Sequence, residues 1–177
     1  MSTPSSPASS ATPERAAAFA PVADARARVL ILGSLPGARS LRQAQYYAHP
    51  QNAFWRLVGA VVGTDLAALA YDARLGRLVE ARIALWDVIA RAERRGSLDS
   101  AIRAPELADL PALVARLPAL RAVAFNGGTA ARIGRKRLAG SPEGLALIDL
   151  PSSSAAHARL RFEEKLERWS VLAEHLD

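Results

Sequence analysis

The chain has 177 residues, half of them hydrophobic and 23% charged, enough for one compact domain with a substantial core and too apolar for wholesale disorder. Lys and Arg number 23 against 17 Asp and Glu, a formal charge of +6, which suits a polyanionic partner but also follows from any Ala- and Arg-rich composition. The absence of cysteine excludes disulfides, thiolate nucleophiles and Cys-ligated zinc or iron–sulfur sites.

Residues 1–20 are rich in Ser, Pro, Thr and Ala and read as a flexible tail, leaving residues 21–177 as a single folded domain. The start lacks the basic region and continuous apolar run of a signal peptide, and no apolar stretch is long enough to span a bilayer. The expected location is therefore cytoplasmic, without membrane association. Arg28-Val29-Leu30-Ile31-Leu32 is a short aliphatic run stopped by Gly33, the pattern of a buried strand. Residues 52–62 place Phe54, Trp55, Val58, Val61 and Val62 at helical spacing.

Three further strands are predicted at Arg82–Trp86, Arg121–Phe125 and Leu145–Ile148. The segment between the second and third reads as partly helical, interrupted at Pro105, Pro111 and Pro118. Residues 158–172 form a plausible amphipathic helix. Strands alternating with helical material imply an α/β class: a single-domain α/β/α sandwich with a mostly parallel four-stranded sheet. Ligands of such sheets bind where loops converge beyond the strand ends.

The loops after these strands hold the chemistry. Gly33-Ser34-Leu35-Pro36-Gly37 is followed by Tyr46-Tyr47-Ala48-His49-Pro50-Gln51-Asn52. Either tyrosine could plug the core or stack on a nucleobase; Asn52 could cap the next helix, bind a base edge or orient a water. Asp149 to Arg159 supplies Ser152, Ser153, Ser154, His157 and Arg159, a set suited to gripping phosphate and equally to a Ser-rich helix start. Asn126-Gly127-Gly128-Thr129 is a third candidate loop. Arg132, Arg135, Lys136 and Arg137 are either a phosphate-facing cluster or a solvated face. Asp87 follows the second strand as a site residue or, more simply, a helix cap. The three histidines have no zinc-ligand spacing, and GxSxG, Walker and GxGxxG patterns are absent, so no metal or cofactor is expected.

In combination, Gly33-Ser34-Leu35-Pro36-Gly37, Tyr46 through Trp55 and Asn126-Gly127 resemble the uracil-DNA glycosylase superfamily, across roughly residues 28–169. His49-Pro50-Gln51-Asn52-Ala53-Phe54-Trp55 is similar to its mismatch-specific branch, and the set as a whole looks closest to the hypoxanthine, or deoxyinosine, branch. The resemblance implies a monofunctional glycosylase that flips a deaminated nucleotide of DNA and hydrolyses its N-glycosidic bond, acting as a monomer without an obligate protein partner. It implies Asn52 as the catalytic residue, and Gly33, Ser34, Leu35, Pro36, Tyr47 and Asn126 around the base. Tyr46 would support Tyr47 or offer an alternative contact, and Ser152, Ser153, Ser154, His157 and Arg159 would meet the DNA. Two positions depart from the superfamily pattern. Leu35 stands where many members carry Asp or Asn, and Leu150 where His or Asn often precedes Pro-Ser. These departures weaken a uracil-only activity and shift the task toward Asn52. No lysine lies in these motifs to form the Schiff base of a lyase. A uracil-DNA glycosylase and a non-catalytic damaged-DNA-binding protein are the alternatives.

Overall fold

The computed structural model of the chain describes residues 15–177. Seven strands and six α-helices alternate through them: β1 (Arg15–Ala17), β2 (Val29–Gly33), α1 (Ala38–Gln43), α2 (Phe54–Val62), α3 (Tyr71–Glu80), β3 (Ile83–Asp87), β4 (Ile89–Glu93), β5 (Arg103–Leu107), α4 (Leu110–Ala115), β6 (Ala122–Asn126), α5 (Gly128–Arg137), β7 (Ala146–Leu150) and α6 (Phe162–Trp169). Strands β3, β2, β6 and β7 form, in that order, a four-stranded sheet in which every pair is parallel. All four strands expected from the aliphatic runs are these four.

The central strand β2 is buried along its whole length, as a parallel strand covered on both faces must be. Leu30 and Leu32 enter one hydrophobic cluster with Val123, Phe125, Leu110, Leu113 and Ala130, the layer of α4 and α5. Val29 and Ile31, pointing the other way, join Ala122, Ala124, Phe54, Leu57, Leu78 and Trp169, the layer of α2, α3 and α6. The sandwich is α/β/α, as the alternation of strands and helices implies.

A second sheet was not anticipated. Strands β1, β4 and β5 pair antiparallel in the order β1-β4-β5. β4 begins two residues after β3 ends, separated from it only by the buried Val88. Pro105 lies within β5, which pairs on one side only and so accommodates a residue without an N–H donor. Pro111 sits in the first turn of α4, where a missing N–H costs little.

The N-terminal boundary also moves. Ala16 of β1 is buried opposite Ala92, and Phe19 packs edge-on against Tyr46 at 5.0 Å, so residues 15–20 belong to the fold rather than to a tail. The remainder of the expected tail, residues 1–14, lies outside the described residues. The C-terminal helix starts at Phe162 rather than near 158, and continues as a 3₁₀ turn over Ser170–His175. No helix among the described residues is long and apolar enough to cross a membrane.

Candidate active site

The parallel strands β2, β3, β6 and β7 end at Gly33, Asp87, Asn126 and Leu150, and the loops beyond those ends enclose a cavity of about 650 Å³. Gly33, Ser34, Leu35, Pro36, Tyr47, Asn52, Asn126, Ser152, Ser153, Ser154 and His157 all line it, so eleven of the twelve residues selected from sequence meet in one place. Arg159 is exposed and is not part of the wall.

The first loop must pass close to its neighbours. A Cβ on Gly33 would lie 2.7 Å from Asp87 Oδ1 and 2.8 Å from the Tyr47 hydroxyl, so only glycine lets both groups converge there. The loop is held from the second sheet. Arg94, immediately after β4, is buried and donates to the carbonyls of Leu35 (3.4 Å) and Pro36. Ser97 Oγ accepts from the Ala38 N–H at 2.9 Å, and Ser34 Oγ donates to Asp99 Oδ1 at 2.7 Å. The Ser34 hydroxyl is thereby committed to the loop's own architecture.

Tyr47 has a left-handed φ of 51°, which turns its ring onto Phe54: the centroids are 3.8 Å apart and the planes 13° from parallel. Phe54 is wholly buried and meets Trp55 and Trp169 edge-on, so the platform is backed by an aromatic stack. Tyr46 is buried behind it, its hydroxyl donating to the Ala20 carbonyl at 3.2 Å. Both tyrosines line the cavity, Tyr46 as the more deeply buried of the two. Burial holds both phenols well above the ordinary tyrosine range, with Asp87 adding to the effect.

Asn126 ties three loops together. Its Nδ2 donates to the Tyr47 hydroxyl (3.2 Å) and to Ser153 Oγ (2.9 Å), while its Oδ1 accepts from the Ser153 N–H (2.8 Å). Ser153 is only 1% exposed and faces Asn126 with both groups, which makes it a scaffold for the loop, while Ser152, Ser154 and His157 line the cavity. Gly127, at φ 98°, allows the start of α5 to pass Ser152; a Cβ there would approach Ser152 Cβ to 3.1 Å. From α6, the buried Lys165 donates to the Ser154 carbonyl at 3.3 Å, and burial lowers its pKa.

Asn52 precedes Ala53, the N-cap of α2, and so is not itself the helix cap. Its Oδ1 accepts from the Phe54 N–H at 3.0 Å, securing the start of α2, and the residue also lines the cavity. Among the described residues no protein group accepts a hydrogen bond from its Nδ2. The Ala53 N–H donates to the Ser153 carbonyl at 3.0 Å, fixing Asn52 relative to the last loop.

Asp87 is the residue that sequence reasoning undervalued. It caps no helix: it is the last residue of β3, paired with Gly33, 3% exposed and in the cavity wall. Among the described residues its buried Oδ2 has no hydrogen-bond partner, and burial pushes its pKa up to about 7 despite the nearby Arg94. Its place at a strand end beside Gly33 was the available signal. Leu98 and Asp99, between β4 and β5, complete the rim and followed from no local motif. Of the basic cluster on α5, Arg135 pairs with Asp149 at 2.8 Å, whereas Arg132, Lys136 and Arg137 line a separate groove beside β5.

The uracil DNA glycosylase superfamily profile matches residues 20–173, nearly all of the described chain. A hypoxanthine DNA glycosylase of Methanosarcina acetivorans is 41% identical over 157 residues, covering 89% of this chain and 97% of its own length. A protein of the same name from Methanosarcina barkeri is 45% identical over 109 residues, covering 62% of this chain and 69% of its own. The solution NMR structure of a uracil DNA glycosylase-family protein from M. acetivorans superposes with a TM-score of 0.81 at 39% identity, covering 92% of this chain and 99% of that one. With the fold, the loop order and these likenesses in agreement, the chain belongs to the uracil DNA glycosylase superfamily.

Proposed function

We propose that the protein is a monofunctional DNA glycosylase that hydrolyses the N-glycosidic bond of deoxyinosine, releasing hypoxanthine and leaving an abasic site for base excision repair. The observation that carries this reading is the placement of Asn52. Its side chain lines the cavity with a free amide Nδ2, while Leu35 in the same wall has no group able to activate water. The hypoxanthine-named relatives of the two Methanosarcina species point to the same substrate.

The nucleotide leaves the helix because the glycosidic bond is inaccessible in a stacked duplex. Tyr47, fixed by Phe54 on one side and Asn126 at its hydroxyl, offers a rigid surface for the extruded base. Asn52 Nδ2 donates to the base or orients the attacking water. Ser152, Ser154, His157 and Arg159 lie on the loop that meets the flanking phosphates, aided by the surplus positive charge. The sugar acquires oxocarbenium character as the bond breaks, and donors around the departing base stabilise its electron pair. Lys165, which donates to the Ser154 carbonyl, is not in the cavity lining, in keeping with a monofunctional enzyme that forms no Schiff base. One chain contributes every wall of the cavity, so a monomer is the proposed working unit, in the cytoplasm with its DNA substrate.

Base release from matched oligonucleotides carrying one deoxyinosine or one deoxyuridine tests the reading, with Asn52→Ala alongside. Release of hypoxanthine that falls at least a hundredfold in the variant is expected. Preferential uracil release would assign the other branch, and DNA binding without release of either base would leave a binding protein.

A further inference from the structure

A carboxyl group that is 3% exposed, lacks a partner at Oδ2 among the described residues and lies in the wall of a cavity of about 650 Å³ is costly to keep unless something in that cavity uses it. Asp87 meets that description, and its neighbours do not relieve it. The guanidinium of Arg94 is directed to the carbonyls of Leu35 and Pro36, and its Nε is itself without a partner. The hydroxyl of Tyr47 accepts from Asn126 and keeps its own proton to donate, but it converges with Oδ1 rather than with the unpartnered Oδ2; Asp99 accepts from Ser34. Asp87 Oδ1 and the Tyr47 hydroxyl converge over Gly33, at the foot of the surface proposed for the base.

We propose that Asp87 is a catalytic residue: its protonated carboxyl donates to a ring nitrogen of the flipped purine and delivers the proton as the base departs. The inference rests on the deoxyinosine reading above. In the step, the C1′–N9 bond breaks and its electron pair enters the purine ring. The Asp87 proton passes to a purine acceptor nitrogen, N3 or N7, so that neutral hypoxanthine leaves. Water bonds to C1′ through oxygen and gives up one proton, which returns the Asp87 carboxylate to its acid form. No metal or redox partner enters the balance.

The electrostatics agree with this role. Burial and the Asp99 carboxylate raise the Asp87 pKa and Arg94 lowers it, with the outcome near 7, where an acid is both available and willing to transfer its proton. The buried phenols of Tyr46 and Tyr47 stay neutral throughout this range. Arg94 approaches from just after β4, Asp99 from the turn before β5, and Tyr46 and Tyr47 from the loop after α1; among the described residues these are the charged and titratable groups that act on Asp87.

The test is single-turnover hypoxanthine release between pH 5 and 9 by the wild type and Asp87→Asn, with binding to abasic-site DNA measured on both. Wild-type rates should fall about tenfold per pH unit above pH 7. The variant should be on the order of a hundredfold slower at pH 6, flat with pH above it, and unchanged in product binding. A variant with the wild-type rate and the same basic limb overturns the proposal while leaving the substrate reading intact. A wild type that releases no hypoxanthine at any pH overturns both. If the variant does not fold, ¹³C NMR titration of the Asp87 carboxyl in the wild type decides the matter. A midpoint coinciding with the kinetic limb supports the role, and a carboxylate ionised from pH 5 upward rejects it.

Discussion

On the β6–β7 side of the cavity, Asn126 uses both ends of its amide, and Ser153 and the Tyr47 hydroxyl are held by it. On the β3 side, Asp87 and Arg94 are both buried, yet among the described residues Asp87 Oδ2 and Arg94 Nε have no hydrogen-bond partner. The first side is built for position and the second keeps polar groups poised for something that arrives. The difference has a thermodynamic signature: removing a partnered polar group destabilises, whereas removing an unpartnered buried charge stabilises. Substitutions on the two sides of one cavity should therefore change stability with opposite signs.

The largest change belongs to Asp87. Its folded pKa of about 7 lies above the ordinary 3.8, so between those values the folded state binds a proton that the unfolded chain has lost. Stability contributed by this group is present below about pH 4, declines as pH rises and is fully lost above about 7. Asp87→Asn, which cannot ionise, should match the wild type in denaturant melts at pH 4 and exceed it at pH 8. The gap between the two pKa values corresponds to roughly 4 kcal/mol. A stability difference that does not vary with pH would show that Asp87 is ionised in the fold and the contrast false.

Asn126→Ala should act in the other direction. It leaves the buried Ser153 N–H and the Tyr47 hydroxyl without their partner, a loss of about 2–3 kcal/mol. For a chain of this size that is a drop of roughly 5–10 °C in Tm, with little dependence on pH. Gly33→Ala breaks both sides together, because its methyl would meet Asp87 Oδ1 at 2.7 Å and the Tyr47 hydroxyl at 2.8 Å. Displacing them should cost about 1–3 kcal/mol by thermal melting and slow base release. A variant as stable and active as the wild type would show that the convergence over Gly33 is loose.

The partnered side was the more legible one in the sequence. β2 and β6 are short aliphatic runs, so Gly33 and Asn126 could be placed at strand ends, and Tyr47 and Asn52 belong to one continuous motif. The unpartnered side depends on contacts between distant segments. Arg94 reaches carbonyls 58 and 59 residues earlier in the chain. The sheet it directly follows left little pattern: β1 is three residues, and β5 is exposed throughout with a proline inside. Asp87 could be located from β3, but its isolation is the result of Arg94 being engaged elsewhere, which no local spacing encodes.

The smallest effect probes how much of the partnered side is position and how much is chemistry. Tyr47→Phe removes the hydroxyl that accepts from Asn126 and keeps the ring stacked on Phe54 at 3.8 Å. Asn126 Nδ2 retains Ser153 Oγ as an acceptor, so its amide is not stranded and the loss should be about 1 kcal/mol. Because the platform itself is unchanged, base release should stay within about threefold of the wild type. A hundredfold loss at unchanged product binding, equivalent to about 2.7 kcal/mol of barrier, would mean that the hydroxyl acts on the base or on Asp87. Tyr47 would then belong with the poised side of the cavity, and the boundary between the two sides would run through its ring rather than beside it.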